Sequence, residues 1–82
     1  MTGDRRPDRI VDAVGLLCPL PVIRTGKAVA EMRVGEVLEL IADDRGVLAD
    51  IPDWCTGHGH SYLGNHTEGR VYHLYLRKGR RE

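Results

Sequence analysis

The chain has 82 residues, with 12 Lys and Arg against 12 Asp and Glu, so its formal net charge at pH 7 is zero. This length supports one domain with a modest core. Neutral charge argues against nucleic acid as the main partner, because phosphate binding usually comes with an excess of positive charge. No apolar run reaches membrane-spanning length, and residues 1–9 are polar with no apolar signal segment. We therefore expect a cytoplasmic protein without a membrane segment, acting as a monomer.

The predicted elements follow one another without repeats or low-complexity tracts. We expect a disordered lead-in at 1–8, a domain at 9–79 and a basic tail at 80–82. Apolar periodicity predicts strands at 9–14, 36–42, 60–67 and 70–78, and helices at 19–33 and 46–57. A turn at Thr67, Glu68 and Gly69 joins the last two strands as an antiparallel hairpin. Right-handed crossovers then place both helices on one face of a mixed four-stranded sheet, which is an α/β (α+β) two-layer β-α-β-α-β-β sandwich.

Cys18-Pro19-Leu20-Pro21 lies between the first strand and the first helix. Pro19 suits the first helical position and Pro21 the first turn, because the N–H that proline lacks has no intrahelical partner there. We expect the Leu20 N–H to face the sulfur and the positive helix end to favour the thiolate, lowering the pKa of Cys18 by on the order of one unit. The sequence thus predicts a reactive thiol, and the alternative is a small apolar side chain before a helix.

The first helix has two different sides. Its apolar side is predicted to contain Val22, Gly26, Val29, Ala30 and Met32. Leu20, Arg24 and Lys27 fall on the opposite side and form what we call the docking stripe, a predicted contact surface for partner proteins. In the alternative, Leu20 bends into the core and the charges only solvate the helix. Asp43 and Asp44 should emerge beside Cys18 and make an electrostatic or partner contact.

The second cysteine and the four histidines receive structural interpretations. Cys55 shares the apolar side of the second helix with Val47, Leu48, Ile51 and Trp54, so we expect it to be buried and inert, with a resolving or second carrier thiol as the alternative. Cys55, His58 and His60 lack a second ligand pair at zinc-site spacing, so no metal site is expected. His58 should contact carbonyls at the helix end, and His66 and His73 should point outward from strands.

A longer pattern identifies a family. After Cys18-Pro19-x-Pro21 come the segments Gly35-Glu36-Val37-Leu38-Glu39-Leu40, Asp43-Asp44, Asp50-Ile51-Pro52 and Arg77-Lys78. Over roughly residues 9–79 the chain resembles the TusA/SirA-like sulfur carriers. The resemblance implies the same two-layer sandwich, with sulfane sulfur carried as a persulfide on Cys18 and no other cofactor.

The resemblance also implies partners. A cysteine desulfurase or a rhodanese would supply the sulfur and a downstream protein thiol would accept it, with tRNA, molybdenum-cofactor or molybdoenzyme maturation and sulfur oxidation all open as destinations. Two other classes stay open. A thiol redox regulator would need Cys55 to reach Cys18, and a nucleic-acid-binding module would use the basic C-terminal residues.

Overall fold

The computed structural model of the protein describes residues 6–80. The elements are β1 (Arg9–Ala13), α1 (Leu20–Ala30), β2 (Val37–Ala42), α2 (Val47–His58), β3 (Ser61–Glu68) and β4 (Val71–Arg77). This order confirms the predicted β-α-β-α-β-β succession. Most of the predicted lead-in, residues 1–5, and residues 81–82 of the predicted tail lie outside the described residues.

The four strands form one mixed sheet in the order β1-β2-β4-β3. β1 and β2 are parallel, and β4 is antiparallel to both of its neighbours. Alternate residues of the central strands enter the core beneath the helices, and those with no exposed surface are Leu38, Leu40, Ala42, Leu74 and Leu76. The predicted two-layer sandwich is therefore confirmed. We call the opposite side of the sheet the open face, and its residues include Glu39, His66, Glu68, His73 and Tyr75.

Helix α1 is shorter than the predicted 19–33. It begins at Leu20 with Pro19 at the N-cap, because the Leu20 N–H donates to the Leu17 carbonyl at 2.9 Å in a turn that precedes the helix. It ends at Ala30 because the next N–H, that of Glu31, bonds three residues back at 3.0 Å and tightens the last turn.

The buried side of α1 also differs from the predicted one. Its buried residues are Pro21, Thr25, Ala28 and Val29, followed by Met32 beyond the helix. The series of buried residues at helical spacing thus starts one residue earlier than predicted, at Pro21 instead of Val22. As a result Ala30 is exposed, and Val22 and Gly26 are only half-buried.

Helix α2 follows its prediction closely. Val47, Ile51 and Cys55 are buried, and Leu48 and Trp54 pack against the core. Gly59 ends the helix with φ of 78°, a left-handed conformation that glycine adopts without strain. The ring nitrogen Nδ1 of His58 lies 3.0 Å from the Trp54 carbonyl oxygen, which confirms the expected contact at the helix end.

The β3–β4 hairpin is confirmed, but its turn lies later than predicted. Glu68 and Val71 are the last paired residues, so Gly69 and Arg70 form a two-residue turn. Earlier in β3 the pairing shifts between Tyr62 and Gly64, which is a bulge. Beyond the bulge, side chains of β3 at alternate positions share the open face.

Candidate functional site

Cys18 lies in the loop between β1 and α1, and its thiol is exposed. β1 and β2 are parallel, so the loops that follow them leave the same edge of the sheet. The loop after β2 contains Asp43 and Asp44, and the structure brings both beside the Cys18 loop, as the sequence predicts. Their contacts, however, are with the backbone of the loop.

The two aspartates bind the Cys18 loop at both of its ends. Asp43 Oδ1 accepts the Gly15 N–H at 2.9 Å, and Asp44 Oδ2 accepts the Cys18 N–H at 2.8 Å. The other oxygen of Asp44 accepts the Gly46 N–H at 3.1 Å, just before α2. These hydrogen bonds, first that from Gly46 and then that from Cys18, hold the pKa of Asp44 below its usual value. One carboxylate thus fixes the position of Cys18 relative to the start of α2.

The Cys18 thiol itself donates a hydrogen bond to Asp50 Oδ2 at 3.3 Å. This bond raises the pKa of Cys18 above the usual thiol value, and desolvation and the negative charges of Asp50 and Asp44 act in the same direction. The predicted lowering of this pKa is therefore wrong. The Leu20 N–H expected to face the sulfur is bonded to the Leu17 carbonyl instead, and the charged groups that act on the thiol are the carboxylates of Asp50 and Asp44.

Asp50 is the site residue that reasoning from the sequence missed. It lies in the first turn of α2, at the same edge of the sheet as Cys18. Gly46 lies between the two carboxylates, and a Cβ atom added there would stand 3.6 Å from an oxygen of both Asp44 and Asp50. The available signal was an acidic residue in the first turn of a helix that begins next to the thiol.

The docking stripe and the apolar side chains close to it in the chain are exposed to solvent. Leu20 is 45% exposed, so it does not bend into the core. Arg24 and Lys27 are also exposed, and all three residues of the docking stripe are therefore accessible. The accessible apolar surface is larger than the stripe, because Leu17 and Ile23 beside it are exposed as well.

Cys55 is 1% exposed, on the core side of α2. Desolvation raises the pKa of its thiol to about 11, since nothing there stabilises a thiolate. The burial predicted for Cys55 is confirmed. The considered ligand set of Cys55, His58 and His60 does not assemble, because Cys55 faces the core while the His58 ring is exposed and stacks on Trp54 at 4.9 Å between ring centroids. A different pair of histidines, His66 and His73, meets on the open face.

Neither helix of the described chain is long and apolar enough to cross a membrane.

Comparison with known proteins gives consistent matches. The family described as sulfurtransferase TusA matches residues 9–78. Two Bacillus subtilis proteins named for a sulfur-carrier role are similar: YrkF is 44% identical over 85% of this chain but only 38% of its own length, and YrkI is 38% identical over 90% of this chain and 99% of its own. The crystal structure of a SirA-like protein from Desulfitobacterium hafniense has a TM-score of 0.72 and 30% identity, covering 87% of this chain and 97% of that one.

Proposed function

Because the chain belongs to the TusA family of sulfurtransferases, we propose that it carries sulfane sulfur as a persulfide on Cys18 and passes it to an acceptor protein. The main support is the exposed Cys18 thiol, hydrogen-bonded to a carboxylate and held by its own backbone N–H. An accessible nucleophile with a proton acceptor beside it is what group transfer between two proteins requires.

Loading would proceed by attack on the outer sulfur of a donor persulfide. The Cys18 thiol gives its proton to Asp50, and the thiolate forms a new S–S bond to that sulfur. The S–S bond of the donor breaks and the donor cysteine leaves as a thiolate. The transferred sulfur keeps its oxidation state, so the step needs neither an oxidant nor a reductant. The raised pKa of Cys18 makes Asp50 important, since at neutral pH the resting group is the thiol.

The same carboxylates would promote unloading. A persulfide is a stronger acid than its parent thiol, so the loaded group is an anion at neutral pH. Once Asp50 has released its proton to solvent, that anion would lie beside the carboxylates of Asp50 and Asp44, and repulsion between like charges favours a position extended toward solvent. The acceptor thiolate then attacks the outer sulfur, the S–S bond to Cys18 breaks and the Cys18 thiolate leaves; this thiolate takes a proton from solvent, which regenerates the starting protein.

A carrier needs a donor and an acceptor, and we propose that both use the surface around Cys18. A cysteine desulfurase or a rhodanese would be the donor. The exposed apolar side chain of Leu20 would supply buried contact area, and Arg24 and Lys27 would select an acidic partner surface.

The redox alternative is less well supported. It needs a disulfide between Cys18 and Cys55, whose Cα atoms would have to approach to about 4.4–6.8 Å. The side chain nearest the Cys18 thiol on α2 is Asp50, and Cys55 lies five residues further along, a rise of about 7.5 Å and a different side of the helix. Counting free thiols after mild oxidation distinguishes the two functions. A redox regulator would form a Cys18–Cys55 disulfide within one chain, whereas in a carrier Cys55 would remain a free thiol.

The proposed function is tested by loading the protein with a cysteine desulfurase and cysteine and measuring its intact mass. We expect a gain of one sulfur atom that reductant removes. The gain should persist in Cys55→Ser, the matched control, and disappear in Cys18→Ser. If the gain survived in Cys18→Ser and was lost in Cys55→Ser, the carrier would be Cys55 and the proposed assignment to Cys18 would be wrong.

A further inference from the structure

The open face of the sheet brings together a group of side chains that the proposed sulfur chemistry does not use. His66 and Glu68 lie two residues apart on β3, so they share a face, and His66 pairs directly with His73 on β4. One candidate ligand atom from each of the three residues lies within 4.8 Å of the others. The group is assembled by strand register and by the two-residue turn after Glu68.

The two histidine rings are aligned in parallel. Their centroids are 4.7 Å apart and their planes differ by 4°. Both present Nε2 to the same carboxylate: His73 Nε2 is 3.3 Å from Glu68 Oε1, and His66 Nε2 is 3.7 Å from Glu68 Oε2. Three potential ligand atoms for a cation thus lie in one small region, and the two parallel rings would have to tilt toward each other for both Nε2 lone pairs to meet at one ion.

The second nitrogen of His73 has its own partner. Its Nδ1 lies 2.6 Å from Glu39 Oε2, which also accepts the Tyr75 hydroxyl at 3.2 Å. The side chains of His73 and Glu39 are only 17% and 12% exposed, so this arrangement is anchored in the sheet. A carboxylate that accepts a hydrogen bond from Nδ1–H fixes the tautomer in which Nε2 carries a lone pair, as it does for histidines that bind metals.

That tautomer leaves a gap in the hydrogen bonding. With Nδ1–H donated to Glu39, His73 Nε2 is an acceptor facing Glu68, which is also an acceptor. Two acceptors at 3.3 Å need a proton or a cation between them. Glu68 and His66 have side chains 71% and 49% exposed, so an ion can reach this position directly from solvent.

We propose that His66, Glu68 and His73 form a zinc site on the open face, with Glu39 as the residue that positions His73. Two imidazoles and one carboxylate are a known ligand set for Zn²⁺, with a water molecule completing four-coordination. Tetrahedral Zn²⁺ bonds of about 2.0–2.1 Å place ligand atoms about 3.4 Å apart, so the ligand atoms, now up to 4.8 Å apart, must approach by side-chain rotation, with the exposed His66 and Glu68 tilting toward the anchored His73. The proposed site is independent of the sulfur-carrier function, and it differs from the expectation from the sequence that no metal site is present.

The experiment titrates untagged, chelator-stripped protein with Co²⁺, whose visible absorption reports coordination, and then displaces it with Zn²⁺. We expect one Co²⁺ per chain with intense bands of low coordination number and no thiolate charge-transfer band. His66→Ala and Glu68→Gln should each weaken binding by about tenfold or more, and Glu39→Gln by about tenfold through the loss of positioning. Thermal unfolding of each variant without metal checks that it is folded.

Two matched controls separate this site from other ligands. His58→Ala removes an exposed histidine from α2, and Cys18→Ser removes the exposed thiol; neither should change the affinity by more than about twofold. The proposal is overturned if binding is unchanged in His66→Ala and Glu68→Gln, if Cys18→Ser abolishes it, or if only the weak bands of hydrated Co²⁺ appear.

Discussion

The Cys18 thiol donates a hydrogen bond to the carboxylate of Asp50, a residue 32 positions later in the chain, on α2. This contact connects the reactive loop to α2 and sets the protonation of the thiol. Helix position alone predicts a stabilised thiolate, whereas the contact stabilises the protonated thiol. Asp50 therefore holds the resting group at Cys18 as the thiol, and its carboxylate helps to set the pH at which the reactive thiolate forms.

Asp50→Asn should lower the pKa of Cys18, because it keeps an oxygen acceptor but removes the nearest negative charge. The rate of Cys18 alkylation, measured across a pH series, should reach half its maximum at a lower pH than in the wild type. Asp53→Asn, which removes a carboxylate on the exposed side of the same helix, is the control and should leave the profile unchanged. An unshifted profile in Asp50→Asn would contradict the assigned cause.

The two cysteines should react very differently in the native protein. Alkylation near neutral pH should label Cys18 first, since its thiol is exposed, while burial and a pKa of about 11 protect Cys55 until denaturant is added. Peptide mapping of the labelled positions makes the measurement. Equal native labelling of both thiols would be inconsistent with the burial of Cys55.

Asp44 should make stability depend on pH in acid. Its folded pKa lies below the unfolded value of about 3.9, so its contribution is complete above that pH and is lost as pH falls through the folded pKa. In Asp44→Asn, the amide has one oxygen and cannot replace both carboxylate oxygens that accept the Cys18 and Gly46 N–H groups. The urea midpoint of this variant should therefore lie below that of the wild type at pH 7. The difference should begin to shrink below about pH 4, where the carboxyl of the unfolded chain becomes protonated, and shrink further as pH falls through the lower folded pKa. Asp53→Asn serves as the control, and a gap that stays constant with pH would rule out this role for Asp44.

The docking stripe should serve transfer and contribute little to folding. Leu20→Ala combined with Lys27→Glu should slow sulfur exchange with a desulfurase, because it removes apolar contact area and reverses a charge. The free energy of unfolding should change by less than about 1 kcal/mol, as is usual for exposed positions. Arg33→Glu makes the same charge reversal beyond the end of α1 and should leave exchange unaffected. A large loss of stability in the double variant would mean that Leu20 is a core residue.

The sequence predicts the architecture well because it depends on periodicity. The apolar alternation of β2 and the helical spacing of α2 each identify a buried side, so the layers and the burial of Cys55 follow directly. The boundaries of α1 do not follow, since they depend on a turn through Leu17 and on hydrogen bonds three residues back at Glu31. The environment of Cys18 does not follow either, because Asp50 reaches the thiol only through the tertiary packing of α2.

The histidine cluster shows the same limit. The sequence gives His66 and His73 as outward strand residues, which their places on the open face confirm. Their meeting with Glu68 depends on the bulge before Gly64 and on a turn at Gly69 and Arg70, one that leaves Glu68 in the strand instead of in the predicted turn; the available signals were the two glycines themselves.

The most direct test of the account is cyanolysis of the protein after loading with a desulfurase and cysteine. A gain of one sulfur is close in mass to a gain of two oxygens, but only sulfane sulfur reacts with cyanide to give thiocyanate and the free thiol. We predict about one thiocyanate per chain from the wild type and from Cys55→Ser, with none above background from Cys18→Ser. Thiocyanate released from Cys18→Ser at the wild-type level, or none from a wild-type protein that has gained mass, would contradict the assignment of Cys18 as the sulfur carrier.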